Sequence, residues 1–160
     1  MTSDVGSALL ARNGWLDDFS VGQRIRHARA ATIGEVEGAF LSKIVVNTAQ
    51  GHWNEHFLKD TPLGSGRLVF GLLTASVVFG LASVDTAEHA IAELGCTAMR
   101  FRAPVHHGDT IEAFTEVLEV TDAPGRPDAG VVRFQHWGRN QDSVVVFEGQ
   151  RLVLIERKAL

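Results

Sequence analysis

An α+β domain, in which one antiparallel sheet covers one long apolar helix, is the fold class the sequence predicts, and two observations predict it. Leu68 to Val84 carries no charged side chain. From Leu94 onward the pattern changes to strands, and Thr110 to Val120 places Glu112 and Glu116 on one face with Ile111, Ala113, Thr115 and Val117 on the other.

Each element follows from its own residues. Gln23 to Ala31 reads as a strand, and Thr32-Ile33-Gly34-Glu35 then has the form of a capping box that starts a helix. Val36, Phe40 and Ile44 recur at i, i+4 and i+8, which predicts one apolar face, with Glu35, Glu37 and Lys43 elsewhere. That helix ends near Val46 and delivers Asn47 onward as a loop. Pro62 to Gly66 is a turn cluster, after which the apolar helix begins near Phe70. A membrane span needs about 20 apolar residues. This stretch is shorter and contains Gly71, Thr74, Ser76, Gly80 and Ser83, so it is expected as a core helix enclosed by the strands. Val131 to Trp137 and Val144 to Ile155 read as further antiparallel strands. An exposed loop at Ala123 to Gly130 and a short connection at Asn140-Gln141-Asp142 join them.

Composition limits the function classes. A chain of 160 residues fits one domain, expected over 1–160 with residues 1–14 as a loose extension. Its 15 basic residues are scattered and outnumbered by 19 acidic ones, which argues against a nucleic-acid partner. Cys96 is the sole cysteine, so no intrachain disulfide forms, and it is expected as a small core residue. With no basic and apolar leader at Met1 to Leu10, the expectation is a cytoplasmic protein with no membrane partner.

Three segments carry chemistry. The first is Asn47-Thr48-Ala49-Gln50-Gly51-His52, followed by Asn54; the second is Gly66-Arg67-Leu68-Val69-Phe70-Gly71-Leu72-Leu73; the third runs from Phe101 through Pro104-Val105-His106-His107-Gly108-Asp109-Thr110. Together they resemble the MaoC-like hydratase and dehydratase family. They match its D-x-N-P-x-H-x-[DN] loop, the entry to its central helix and its F-x-x-P-V-x-x-G-D-T signature. The loop further resembles a mesaconyl-CoA hydratase branch with N-T-A-Q-x-H-[FW]-N-E.

The resemblance implies a hotdog fold, a curved antiparallel sheet wrapped around a central helix. It also implies a homodimer or larger assembly with the site near the subunit interface. The implied activity is addition or removal of water across the Cα–Cβ bond of an acyl-CoA thioester, with branched or dicarboxylic acyl groups such as mesaconyl favoured and no cofactor. The family's Asp and His fall on Asn47 and His52, and its oxyanion donor on the backbone N–H of Gly71. An amide takes up no proton at neutral pH, so His52 carries the proton transfer and Asn47 orients water or accepts a hydrogen bond from His52. Glu55 and His56 are candidate auxiliary groups, or surface residues at a helix start.

Other readings compete. His52-Trp53-Asn54-Glu55-His56 fits H-x-x-E-H, in which a helix presents two histidines to zinc; the short run before Pro62 and the missing third ligand argue against a metal. Thioester hydrolysis would use Glu55. A noncatalytic acyl-CoA binder or supporting subunit would explain the missing carboxylate. His106-His107 reads as a turn, Trp53 and Trp137 as packing, and Arg67, Arg100 and Arg126 as candidate phosphate contacts.

Overall fold

The structure is a computed structural model that describes residues 14–62 and 66–159, together with the backbone of 6–7. The expected loose extension therefore lies mostly outside the described residues. Gly6–Ser7 forms a short strand, β1, parallel to β2. Then come β2 (Arg24–Thr32), α1 (Glu35–Ile44), a 3-10 turn (Gln50–His52), α2 (Glu55–Leu58), α3 (Gly71–Thr86), β3 (Ala90–Phe101), β4 (Thr110–Ala123), β5 (Arg126–Arg139) and β6 (Val145–Glu156). The sheet order is β1-β2-β4-β5-β6-β3. The last three strands form the expected meander, while β3 crosses to the far edge and pairs with β6.

Alternation decides which side of the sheet meets α3. Ile111, Ala113, Thr115 and Val117 are buried, as the pattern requires. Ala75 and Val78 of α3 pack with Ile111, Ala113, Val146 and Phe147 in one core cluster. A second cluster, around Leu16, Phe19, Phe134 and Ile155, closes the other end of the sheet.

Several expectations are corrected. The helix α1 starts where expected, but its cap is Gly34, whose N–H donates to Glu37 Oε2 at 2.6 Å. Thr32 instead completes β2, and its hydroxyl bonds that of Thr110 across the strands at 2.7 Å. The buried side of α1 is Gly38 and Ser42, and Val36, Phe40 and Ile44 face outward at 81%, 58% and 58% exposure. Small residues face inward because the backbone approaches the sheet end closely: a Cβ on Gly38 would sit 2.3 Å from His107 Nε2.

The helix α3 is enclosed on one side only. Thr74, Ala75, Val78, Ala82 and Thr86 are buried, whereas Leu72 and Val84 are exposed, because a single sheet reaches one face of a helix. Cys96 is exposed, since it lies on β3, whose outer edge has no neighbouring strand among the described residues. The loop expected at Ala123 to Gly130 shrinks to the turn at Pro124 and Gly125. Gly125 takes φ +77°, and Pro127, which has no N–H to give, sits where the β4–β5 register shifts.

Candidate functional site

The three sequence segments meet at one end of α3. Leu68 is the clasp: its N–H donates to Gly51 O at 3.0 Å, and its carbonyl accepts from His52 Nδ1 at 2.9 Å. Val69 N–H donates to Val105 O at 2.8 Å, and Leu68 forms an isolated bridge with His106. The histidine loop, the entry to α3 and the Pro-Val/Gly-Asp segment are thereby held together by backbone bonds that do not depend on side-chain rotamers.

This clasp fixes the His52 tautomer. A carbonyl oxygen only accepts, so Nδ1 carries the hydrogen and neutral His52 presents Nε2 as a lone pair. The ring is half-buried and packs edge to face on Phe70, with centroids 5.7 Å apart.

Asn47 is delivered by the end of α1. Asn47 N–H donates to Ser42 O at 2.9 Å and Val46 N–H to Lys43 O at 3.0 Å, which is the Schellman pattern. The left-handed position belongs to Val46, at φ 55°. Asn47 Oδ1 accepts the Ala49 N–H at 3.0 Å, which leaves the amide NH2 to serve a ligand. Asn47 therefore does not orient His52; the Leu68 carbonyl does.

Phe70 caps α3 and Gly71 is its first residue, so the Gly71 and Leu72 N–H groups have no acceptor within the helix. The helix dipole adds positive potential there. Gly71 is needed for space, since a Cβ would meet the Phe101 ring at 3.1 Å. Between α1 and the start of α3 lies a cleft of about 620 Å³, with Asn47 and Phe70 in its wall.

The auxiliary candidates separate. Glu55 reaches Arg67 Nε at 3.4 Å, and Arg67 also pairs with Glu35. His56 is exposed. His52 lies in the 3-10 turn and His56 in the separate four-residue α2, so they do not share the helical face that H-x-x-E-H zinc binding requires. Among the described residues no group of three His, Cys, Asp or Glu is placed to hold a metal ion. Arg126, at the turn between β4 and β5, pairs with Asp128, and Arg67 pairs with Glu35 and Glu55. Trp137 stacks on Phe114 at 5.5 Å.

Sequence reasoning read His107 as part of a turn and gave it no contact with α1. Its ring lies over Gly38, its buried Nε2 has no partner, and burial followed by the positive Arg67 holds its pKa below the usual histidine range. The signal was a glycine inside a helix, which often marks a close approach by another element.

A sheet wrapped around a helix whose N-terminus is clasped to a histidine loop defines the hotdog class of MaoC-like hydratases and dehydratases. The chain belongs to the mesaconyl-CoA hydratase family, whose model matches residues 11–157. It is 35% identical to a mesaconyl-CoA hydratase of Haloarcula marismortui over 82% of this chain and 36% of the relative. It is 33% identical to a β-methylmalyl-CoA dehydratase of Chloroflexus aurantiacus over 73% of this chain and 33% of the relative. The chain thus spans about a third of the length of these curated relatives. A crystal structure of a MaoC domain protein from C. aurantiacus superposes with a TM-score of 0.84 at 28% identity, covering 92% of this chain and 46% of that one.

Proposed function

We propose that the protein is an acyl-CoA hydratase or dehydratase, a hydro-lyase that adds water to, or removes it from, the Cα–Cβ bond of an acyl thioester. The observation that carries this reading is the His52–Leu68 bond, because it leaves Nε2 as a base beside the N-terminus of α3. In hydration, His52 Nε2 takes a proton from water as the oxygen attacks Cβ. Negative charge gathers on the thioester oxygen, and the Gly71 N–H stabilises it. His52 then returns the proton to Cα, so one water is consumed and the histidine ends neutral. The Asn47 amide N–H holds the water while its oxygen is engaged by Ala49. Glu55 and His56 stand as auxiliaries outside the proton path, since Glu55 is committed to Arg67. The names of the relatives place mesaconyl-CoA first among the thioesters to assay.

The working unit is a homodimer or larger homo-oligomer of this single hotdog domain. Ile91, Leu94, Met99 and Phe101 on β3, Leu72 and Val84 on α3, and Val36, Phe40 and Ile44 on α1 are all exposed in one chain. A long open strand edge flanked by apolar side chains is a pairing surface. No helix among the described residues is long and apolar enough to cross a membrane. The single cysteine supports a cytoplasmic setting.

The test is His52→Asn, which keeps a short amide N–H for the Leu68 carbonyl but removes the base. Loss of enoyl-thioester absorbance should slow by about 10²–10⁴-fold, with little change in melting. Wild-type turnover in this variant would falsify the assignment. Tight thioester binding with no turnover by the wild type would favour the noncatalytic binder.

A further inference from the structure

Asn47 is half-buried in the wall of the cleft between α1 and the start of α3. Its main chain is fixed by the N–H bond to Ser42 O at 2.9 Å, and its side chain by the Ala49 N–H, which Oδ1 accepts at 3.0 Å. The second bond decides which end of the amide turns to a ligand. With the oxygen engaged in the loop, the NH2 end, carrying two donors, is the one left to the cleft. The Gly71 and Leu72 N–H groups, which have no acceptor within α3, add positive potential to the same cleft.

On the hydratase reading, on which this inference rests, one of the two amide donors holds water at Cβ. In a thioester whose acyl group bears a second carboxylate on Cβ, such as the C1 thioester of mesaconate, that carboxylate is one bond from the carbon the water attacks. A group that holds the water is therefore within reach of the carboxylate as well. The second N–H of Asn47 is available to meet it. An aspartate at this position would accept the Ala49 N–H equally well but, when ionised, has no hydrogen to give and turns a negative oxygen toward the substrate. Like charges that close repel strongly unless bulk water separates them.

We infer that Asn47 is a specificity-determining residue: its two amide donors hold the water and a Cβ carboxylate side by side, and a neutral amide suits this position because the acyl group is itself anionic.

The experiment compares kcat/KM for the C1 thioester of mesaconate with that for (E)-2-methylbut-2-enoyl-CoA, which carries a methyl in place of the carboxylate on Cβ. Both are measured on the full chain, as wild type and as Asn47→Asp. Structural damage or a lost proton path lowers both rates together, whereas a like-charge contact lowers only the first. The mesaconyl-to-methyl ratio should fall by about tenfold or more in Asn47→Asp. An unchanged or increased ratio overturns the inference and leaves the hydratase reading intact. Asn47→Leu removes the donors and adds no charge, so its ratio should lie between those of the wild type and the aspartate variant; a wild-type ratio there overturns the donor role.

Calorimetric binding of the saturated pair, the C1 thioester of 2-methylsuccinate and 2-methylbutanoyl-CoA, reads the same contact where a protein turns over neither enoyl thioester. A loss of about tenfold in Asn47→Asp confined to the 2-methylsuccinyl compound supports the inference. If the wild type also turns over nothing, the hydratase reading alone falls. Equal losses for both compounds, or no binding of either by the wild type, overturn the inference.

Discussion

The Thr115 hydroxyl lies 2.7 Å from His136 Nδ1 at a position where both side chains are fully buried. The same oxygen lies 2.7 Å from His27 Nε2, and His27 Nδ1 lies 2.6 Å from Asp85 Oδ2. The carboxylate sets the direction of the chain. His27 Nδ1–H donates to Asp85, the Thr115 O–H donates to His27 Nε2, and His136 Nδ1–H donates to Thr115. His136 Nε2 is left as a buried lone pair without a partner. Asp85 belongs to α3 and the other three to β2, β4 and β5, so the relay ties the helix to the sheet.

Acid should loosen this tie. Burial, followed by the positive Arg151, holds the His136 pKa well below 6.5, and burial lowers that of His27 despite Asp85. The unfolded chain takes up these protons below about pH 6.5, whereas the folded chain does not. Stability is therefore full above that pH and falls as pH drops below it, by about 1.4 kcal/mol per pH unit for each proton withheld. Chemical denaturation from pH 8 to pH 5 measures the slope. A flat profile for the wild type would show that these histidines titrate normally.

Val46 occupies a left-handed position at φ 55° with a β-branched side chain that is 75% exposed. That conformation costs an L-residue about 1–2 kcal/mol, and glycine's extra chain entropy offsets about 0.5–1 kcal/mol of it. Val46→Gly should therefore raise unfolding free energy by about 0.5–1 kcal/mol, read from urea titrations. A loss of stability would mean that the valine makes a compensating contact in the assembled protein.

Asn47→Asp keeps an oxygen to accept the Ala49 N–H, whereas Asn47→Ala does not. The alanine variant should lose about 1 kcal/mol, and the aspartate variant should melt with the wild type. In the pH–rate profile, Asn47→Asp should add an acid-side limb in the carboxylate range, near about 4. An unaltered profile would place Asn47 outside the reacting groups.

Leu94→Lys with Met99→Lys puts two charges on the open strand β3, where both side chains are exposed in one chain. Sedimentation should show a wild-type dimer or larger species and a dissociated variant, because charge on an edge strand opposes pairing. A wild type that sediments as a monomer at micromolar concentration would end the assembly proposal.

Local pattern determined much of the fold, and the resemblance of three segments to the MaoC-like family supplied the residues of the proposed site. Alternation in β4 assigned Ile111, Ala113, Thr115 and Val117 to the core face, because residue period and strand geometry share the number two. The uncharged stretch from Leu68 marked α3, and three separated signatures pointed to Asn47, His52 and Gly71. What periodicity could not supply was which neighbour each face would meet. The outward face of α1, the half-covered α3 and exposed Cys96 follow from how far one sheet reaches, and that depends on the whole topology. The site's working details were likewise tertiary. Leu68, distant in sequence from the start of the loop, donates to Gly51 and accepts from His52 Nδ1. His107 folds onto Gly38. Chain contacts between separated segments set those hydrogen bonds, and with them the free nitrogen of His52.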